Sequence, residues 1–209
     1  YVLQHIYGGL VRFAPGTANP NDIEPDLAER WDVSEDARVW TFYLRKGVQW
    51  HRGYGEVTAD DVVFRIKRVQ DPLTGSPYRA TFDHVVAVEA LDPYTVRFTL
   101  AVPDSTFLTK VVSYQAGYIV SRRAVEELGD EGFRRSPVGF GPFVFERHEP
   151  RQKVVLKRNE SYFRGAPIVE QLEIVFVPDP TTMISALIAE ELHTGLGDYT
   201  EEWVMLVEQ

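Results

Sequence analysis

Apolar and polar positions alternate with a period of two in two stretches. Trp40, Phe42 and Leu44 alternate with Thr41, Tyr43 and Arg45, and Tyr94, Val96, Phe98 and Leu100 alternate with Thr95, Arg97 and Thr99. That spacing in β-branched and aromatic residues predicts strands over 39–45 and 94–100. Each has a partner arm within hairpin reach: 31–33 across a turn at 34–38, and 85–90 across Asp92-Pro93. A third hairpin is predicted from 143–147 and 153–158 about Glu149-Pro150-Arg151, and 172–177 reads as a further apolar strand.

The strongest helical pattern runs over 58–69. Thr58 is the predicted cap, Asp61 stands three residues on as in a weak capping box, and Val62, Val63, Ile66 and Val69 make the apolar stripe. Asp60 and Asp61 lie in the first turn, where they complement the helix dipole, and Asp71-Pro72 ends the helix. Shorter helices are predicted over 103–112, 122–128 with Gly129 as the stop, 181–192 and 201–207. At the start, Val2, Leu3, Ile6, Tyr7 and Leu10 have helical spacing, weakened by Gly8-Gly9. Residues 10–13 then read as a short strand and 14–25 as loop. The hairpins interleaved with helices give a mixed α/β chain.

Composition narrows the classes of function. The 209 residues carry 22 Lys plus Arg against 31 Asp plus Glu, a formal charge of −9. An acidic chain of this kind is not expected to neutralise phosphates, which argues against a nucleic-acid partner. Apolar residues at 44% and charged residues at 25% are ordinary for a globular protein that buries a sizeable core. There is no apolar run long enough for a transmembrane helix. The chain opens at Tyr1, without an initiator Met or a signal-like segment, which suggests a removed signal or an excised piece. With no Cys, disulfides, thiolate metal sites and a Cys nucleophile are excluded together.

The search for reactive constellations returns little. Asp60-Asp61 reads either as a pair of ligands or acids or as a helix start. Neighbours on a helix diverge by about 100°, which favours the helix start. His5, His51, His84, His148 and His193 show no metal-site spacing, and Asp83-His84 would face opposite ways on a strand. There is no nucleophile elbow and no phosphate loop; Gly139-Phe140-Gly141 and Gly195-Leu196-Gly197 read as turns. A polymer hydrolase using Asp61 and Glu89 as acid and base is the enzymatic alternative, motivated only by acidity. Tyr114, Tyr118, Phe140 and Phe143 sit beside turns, where aromatics line pockets. The chemistry points to binding rather than catalysis.

Five segments taken in order resemble one family. Residues 27–36 (LAERWDVSED) with 39–48 (VWTFYLRKGV), 57–64 (VTADDVVF), 137–143 (PVGFGPF) and 157–165 (KRNESYFRG) are similar to the signature segments of extracellular solute-binding proteins of ABC importers, the peptide/nickel class known as family 5. Phe140 stands where that family usually has Thr, and 191–198 is a blurred form of its stretch before the second lobe, with Asp198 the best match.

The resemblance implies a type II periplasmic-binding-protein lobe. Its cleft-bordering subdomain would be 1–30 with 136–198 and its inserted outer subdomain 31–135. Residues 199–209 would start the hinge and second lobe, which is otherwise absent. It implies a receptor that captures a peptide or similar small solute between two lobes and delivers it to permease subunits. Its place would be periplasmic or extracellular, peripheral to the membrane through the permeases or a lipid anchor. It implies no catalytic residue, no cofactor and no metal. Tyr7, Tyr114, Phe140, Gly141 and Phe143 are the candidate solute contacts, and a sensor or assembly protein on the same fold is the alternative.

Overall fold

The structure, a computed structural model, describes residues 2–112 and 114–195. The two alternating stretches become the centre of a four-stranded sheet. Strands β3 (Ala28–Val33), β4 (Val39–Leu44), β5 (Val85–Asp92) and β6 (Thr95–Leu100) lie in the order β3-β4-β6-β5, each pair antiparallel. Trp40, Phe42 and Leu44 of β4 and Val96, Phe98 and Leu100 of β6 all point to the buried face. In register, Phe42 opposes Val96 and Trp40 opposes Phe98. The Phe42 and Phe98 rings meet edge to face at 5.7 Å, and Phe107 joins them at 5.2 Å from Phe98.

Helix α2 (Ala59–Gln70) lies against β5 and buries Val62, Ile66 and Val69 in the same core. Its Val63 is only half-buried, so the stripe is narrower than its spacing implies. The 122–128 helix is α4 (Arg122–Arg135), started by Ser121, whose hydroxyl accepts Ala124 N–H at 3.2 Å. Gly129 does not end it. The residue takes φ 67° and ψ 171°, and a second helical stretch follows to Arg135. Gly supplies the break there because it reaches positive φ without strain.

Other boundaries differ from expectation for local reasons. Helix α1 is a single turn, Leu3–Ile6, because Gly8-Gly9 follow at once. The 14–25 segment is not all loop: β2 (Ile23–Pro25) pairs antiparallel with β1 (Val11–Phe13), closing a small ribbon. A three-residue strand ending in Pro leaves no alternation to read. The 103–112 helix contracts to α3 (Phe107–Lys110), since Asp104 turns the chain ahead of it by taking Thr106 N–H at 2.9 Å.

Strands β7 (Phe143–Glu149), β8 (Lys153–Arg158) and β9 (Gln171–Val175) make a three-stranded sheet with β8 central. Helix α5 (Pro180–Ile188) is capped by Asp179, whose carboxylate accepts Thr182 N–H at 2.6 Å. The 201–207 helix, Leu196, Gly197 and Asp198 lie outside the described residues. The chain divides into two compact units, 1–147 with 156–172 and 148–155 with 173–209. The site described next lies in the first.

Candidate functional site

The site begins with a close passage of two backbone segments. The Gly139-Phe140-Gly141 turn lies against the end of α1, where Gly141 N–H donates to the Ile6 carbonyl at 2.8 Å. A Cβ on Gly139 would fall 1.9 Å from that same oxygen, and one on Gly141 2.7 Å from it. The two glycines are therefore required by approach. Replacing Gly139 by Ala forces the turn off Ile6. We expect a loss of about 2–3 kcal/mol or more, read as a lower urea midpoint at unchanged slope.

Polar side chains clamp the turn from the other side. The Gly139 carbonyl accepts His51 N–H at 2.8 Å. The Gly141 carbonyl accepts from His51 Nε2 at 3.0 Å and from Asn159 Nδ2 at 3.0 Å. A carbonyl only accepts, so His51 carries its proton on Nε2. Its Nδ1 is buried with no partner among the described residues. Burial pushes the His51 pKa down to about 4, the Arg52 charge adds to the effect, and the Gly141 bond opposes it.

Above this turn opens a cavity of about 530 Å³. Aromatic side chains dominate its wall: Tyr7, Phe13, Tyr114, Phe140, Tyr162 and Phe163. Phe140 is 1% exposed and forms the floor, edge-on to Trp50 at 5.3 Å and 6.4 Å from Phe163. Gly8 admits it: a Cβ there would lie 2.5 Å from the Phe140 ring. Tyr114 is 53% exposed at the rim. Tyr7 tilts against Tyr118 at 5.7 Å, and burial holds its hydroxyl protonated far above the ordinary range. Arg65, half-buried, donates to the carbonyls of Tyr118 at 2.8 Å and Ala116 at 3.4 Å, which fixes the segment beside Tyr114.

Arg12 and Asp26 are the charged residues of the wall, and Gln4 and Thr17 are its other polar side chains. Asp26 is buried and accepts Gly9 N–H at 3.2 Å and Arg164 Nε at 3.3 Å. Burial raises its pKa, and the Gly9 bond and the Arg164 and Arg12 charges oppose the rise. Arg12 lies on β1 directly across from Glu24 on β2 and pairs with it.

Of the five residues named from sequence, Tyr7, Tyr114, Phe140 and Gly141 line this cavity. Phe143 does not; its ring stands edge-on to His5 at 6.1 Å. Sequence reasoning missed Arg12, Phe13, Asp26, Tyr162 and Phe163. Tyr162 and Phe163 fall within the 157–165 segment already singled out, while Arg12 and Asp26 carry no local signal. The carboxylates of the hydrolase alternative lie elsewhere. Asp61 takes Arg122 N–H at 2.9 Å, Thr58 N–H at 3.0 Å and Trp50 Nε1 at 3.2 Å, and Glu89 pairs with Arg97 at 3.0 Å on the exposed sheet face. Among the described residues no group of three or more His, Asp or Glu is placed to hold a metal ion.

Residues 22–205 match the family profile described as bacterial extracellular solute-binding proteins, family 5 Middle. The chain is 32% identical to di/tripeptide-binding protein 2 of Pseudomonas aeruginosa, over 94% of its own length and 40% of that protein's. It is 35% identical to heme-binding protein A of Haemophilus influenzae, over 88% of this chain and 37% of the relative. Among solved structures it superposes at a TM-score of 0.93 and 42% identity on MoaA of A. tumefaciens R10 in complex with mannopinic acid, covering 98% of this chain and 41% of that one. DppA of Helicobacter pylori, in complex with the peptide STSA, gives 0.80 at 33% identity, with 90% and 40% covered. The fold is that of type II periplasmic binding proteins, and the chain spans about 40% of the length of the relatives it matches. Profile, relatives and fold agree: the chain belongs to the bacterial extracellular solute-binding proteins of family 5.

Proposed function

We propose that this chain forms part of the substrate receptor of an ABC importer, which captures a small solute and hands it to permease subunits. The observation that carries the reading is the aromatic cavity in a chain of this family, with Arg12 and Asp26 as its charged groups. Such a wall removes apolar and π surface from water while a few polar groups set orientation. The receptor works outside the cytoplasm, as its family does, and meets the membrane through its permeases. It performs no turnover. The solute touches Tyr7, Tyr114, Phe140 and Gly141. In this reading 1–30 and 136–198 border the cleft and 31–135 form an outer insertion.

The first solute class is a peptide, supported by relatives named for di- and tripeptides and by the peptide-bound DppA. A second class, an amino-acid conjugate, is supported by the 42% identity to the structure holding mannopinic acid. The test is a thermal-shift screen of the longest form of the protein that contains this chain, against di- and tripeptides, nickel chelates and mannopinic acid. A ligand at 100 times its Kd adds about 2.7 kcal/mol, so the true class raises Tm by several degrees. A flat response across peptides and mannopinic acid would refute both classes.

A further inference from the structure

The cavity's two charged groups differ in what they have left to offer. The Asp26 carboxylate is 4% exposed and already holds Gly9 N–H and Arg164 Nε. The Arg12 side chain is 30% exposed, and its donors are only partly engaged. Its Nε donates to Glu24 Oε1 at 2.5 Å, and Nη2 contacts the same oxygen. Nη1 makes no hydrogen bond among the described residues. The in-register pairing of Arg12 with Glu24 holds the guanidinium in one orientation while leaving that part of its fork uncommitted. Half of the other lining residues are aromatic, and Gln4 and Thr17 are the further polar side chains of the wall.

We infer that Arg12 is the carboxylate anchor of the solute in this chain, with Glu24 as the residue that positions it, so that the ligand class is small carboxylic acids. This rests on the receptor reading above. A planar guanidinium with free N–H groups suits a carboxylate better than any neutral group, and the aromatic wall takes the remainder of the molecule. The same chemistry arises from the C-terminus of a short peptide or from an amino-acid conjugate such as mannopinic acid.

The experiment is calorimetric titration of the longest form of the protein that contains this chain. The probes are trialanine, trialanine amide and mannopinic acid, each with the wild type, Arg12→Gln, Arg12→Lys and Glu24→Gln. At least one acid is expected to bind the wild type. Arg12→Gln weakens it about tenfold or more, and Arg12→Lys recovers part of the loss. Glu24→Gln, which keeps the cation but loosens its hold, costs about threefold. Where trialanine binds, its amide binds the wild type about tenfold more weakly, and Arg12→Gln abolishes that difference. Trialanine or mannopinic acid as the tighter acid identifies the source. The Arg12–Glu24 pair is half-exposed, so Tm of the variants stays within a few degrees of wild type and reports that the fold survives. Full acid affinity in Arg12→Gln, or equal binding of trialanine and its amide by the wild type, overturns the anchor and leaves the receptor standing. No binding of any probe overturns the small-carboxylic-acid class and the anchor with it, and leaves the receptor reading to the wider thermal-shift screen.

Discussion

Replacing Asp61 by Ala is expected to lower stability by about 3–5 kcal/mol, the largest effect of any single side chain outside the apolar core. Three N–H donors converge on its carboxylate. Oδ1 takes the Arg122 amide at the start of α4, and Oδ2 takes the Thr58 amide and Trp50 Nε1. The group is buried, so truncation leaves these donors facing a void without solvent to replace the lost acceptor. It also unfastens α2 from α4 and from the Trp50 ring, on which the Phe140 floor rests. Asp61→Asn is not a mild substitute. Both oxygens accept, so the new amide nitrogen must point at an N–H, and a loss of about 1–3 kcal/mol remains. For a chain of this size each kcal/mol moves Tm by about 2–4 °C, so Asp61→Ala should melt roughly 6–20 °C lower. A calorimetric Tm within about 2 °C of wild type would show that the carboxylate is not the fastener its geometry describes.

The same residue shows what a sequence discloses and what it withholds. Thr58 and Asp61 are separated by one helical turn, so their capping relation is local and legible. The bond from Asp61 to Arg122 spans 61 residues and the one from Trp50 spans 11, and neither leaves a periodic trace. Strands β4 and β6 were readable because one face of each is wholly buried and the other is not, which forces the alternation. Strand β2, half-buried at every position, gave no such signal. In the site, Tyr7, Tyr114, Phe140 and Gly141 were approachable through neighbouring turns and the family resemblance. Asp26 is held in the cavity wall by a bond from Arg164, 138 residues away, and Arg12 becomes notable only through its β1–β2 register. Those are properties of the folded chain, and no short window contains them.

His51 sets the second large effect, a fall in stability on acidification. The imidazole is buried against the Gly141 turn as the neutral Nε2–H form, and its pKa falls from the ordinary 6.5 to about 4. Between these values the unfolded chain takes up a proton that the folded chain refuses. Stability from this group is therefore intact above pH 6.5, falls by up to about 1.4 kcal/mol per pH unit below it, and levels off under pH 4. The full loss approaches about 3 kcal/mol, lessened where solvent reaches the ring. His5, also lowered from 6.5 chiefly by burial, adds a loss of the same sign below pH 6.5, and the buried or paired carboxylates act in other directions or ranges. Burial raises Asp26 and Asp61, so their contributions are present at low pH and lost as pH rises through their folded values, opposing the His51 slope in acid. Burial also presses Asp104 upward, but hydrogen bonds from Lys110 and Thr106 win and hold it at about 2, so its contribution is lost only below the usual carboxylate range. The difference between wild type and His51→Gln isolates the histidine, because the other groups titrate in both. Urea midpoints at pH 7.5, 5.5 and 4.5 should fall steeply in wild type and more gently in the variant. The two lines should converge toward pH 4, the variant having lost a fixed amount at every pH through repacking. Parallel lines across the range would mean that the folded protein accepts the proton, and that the Gly141 turn moves to let it in.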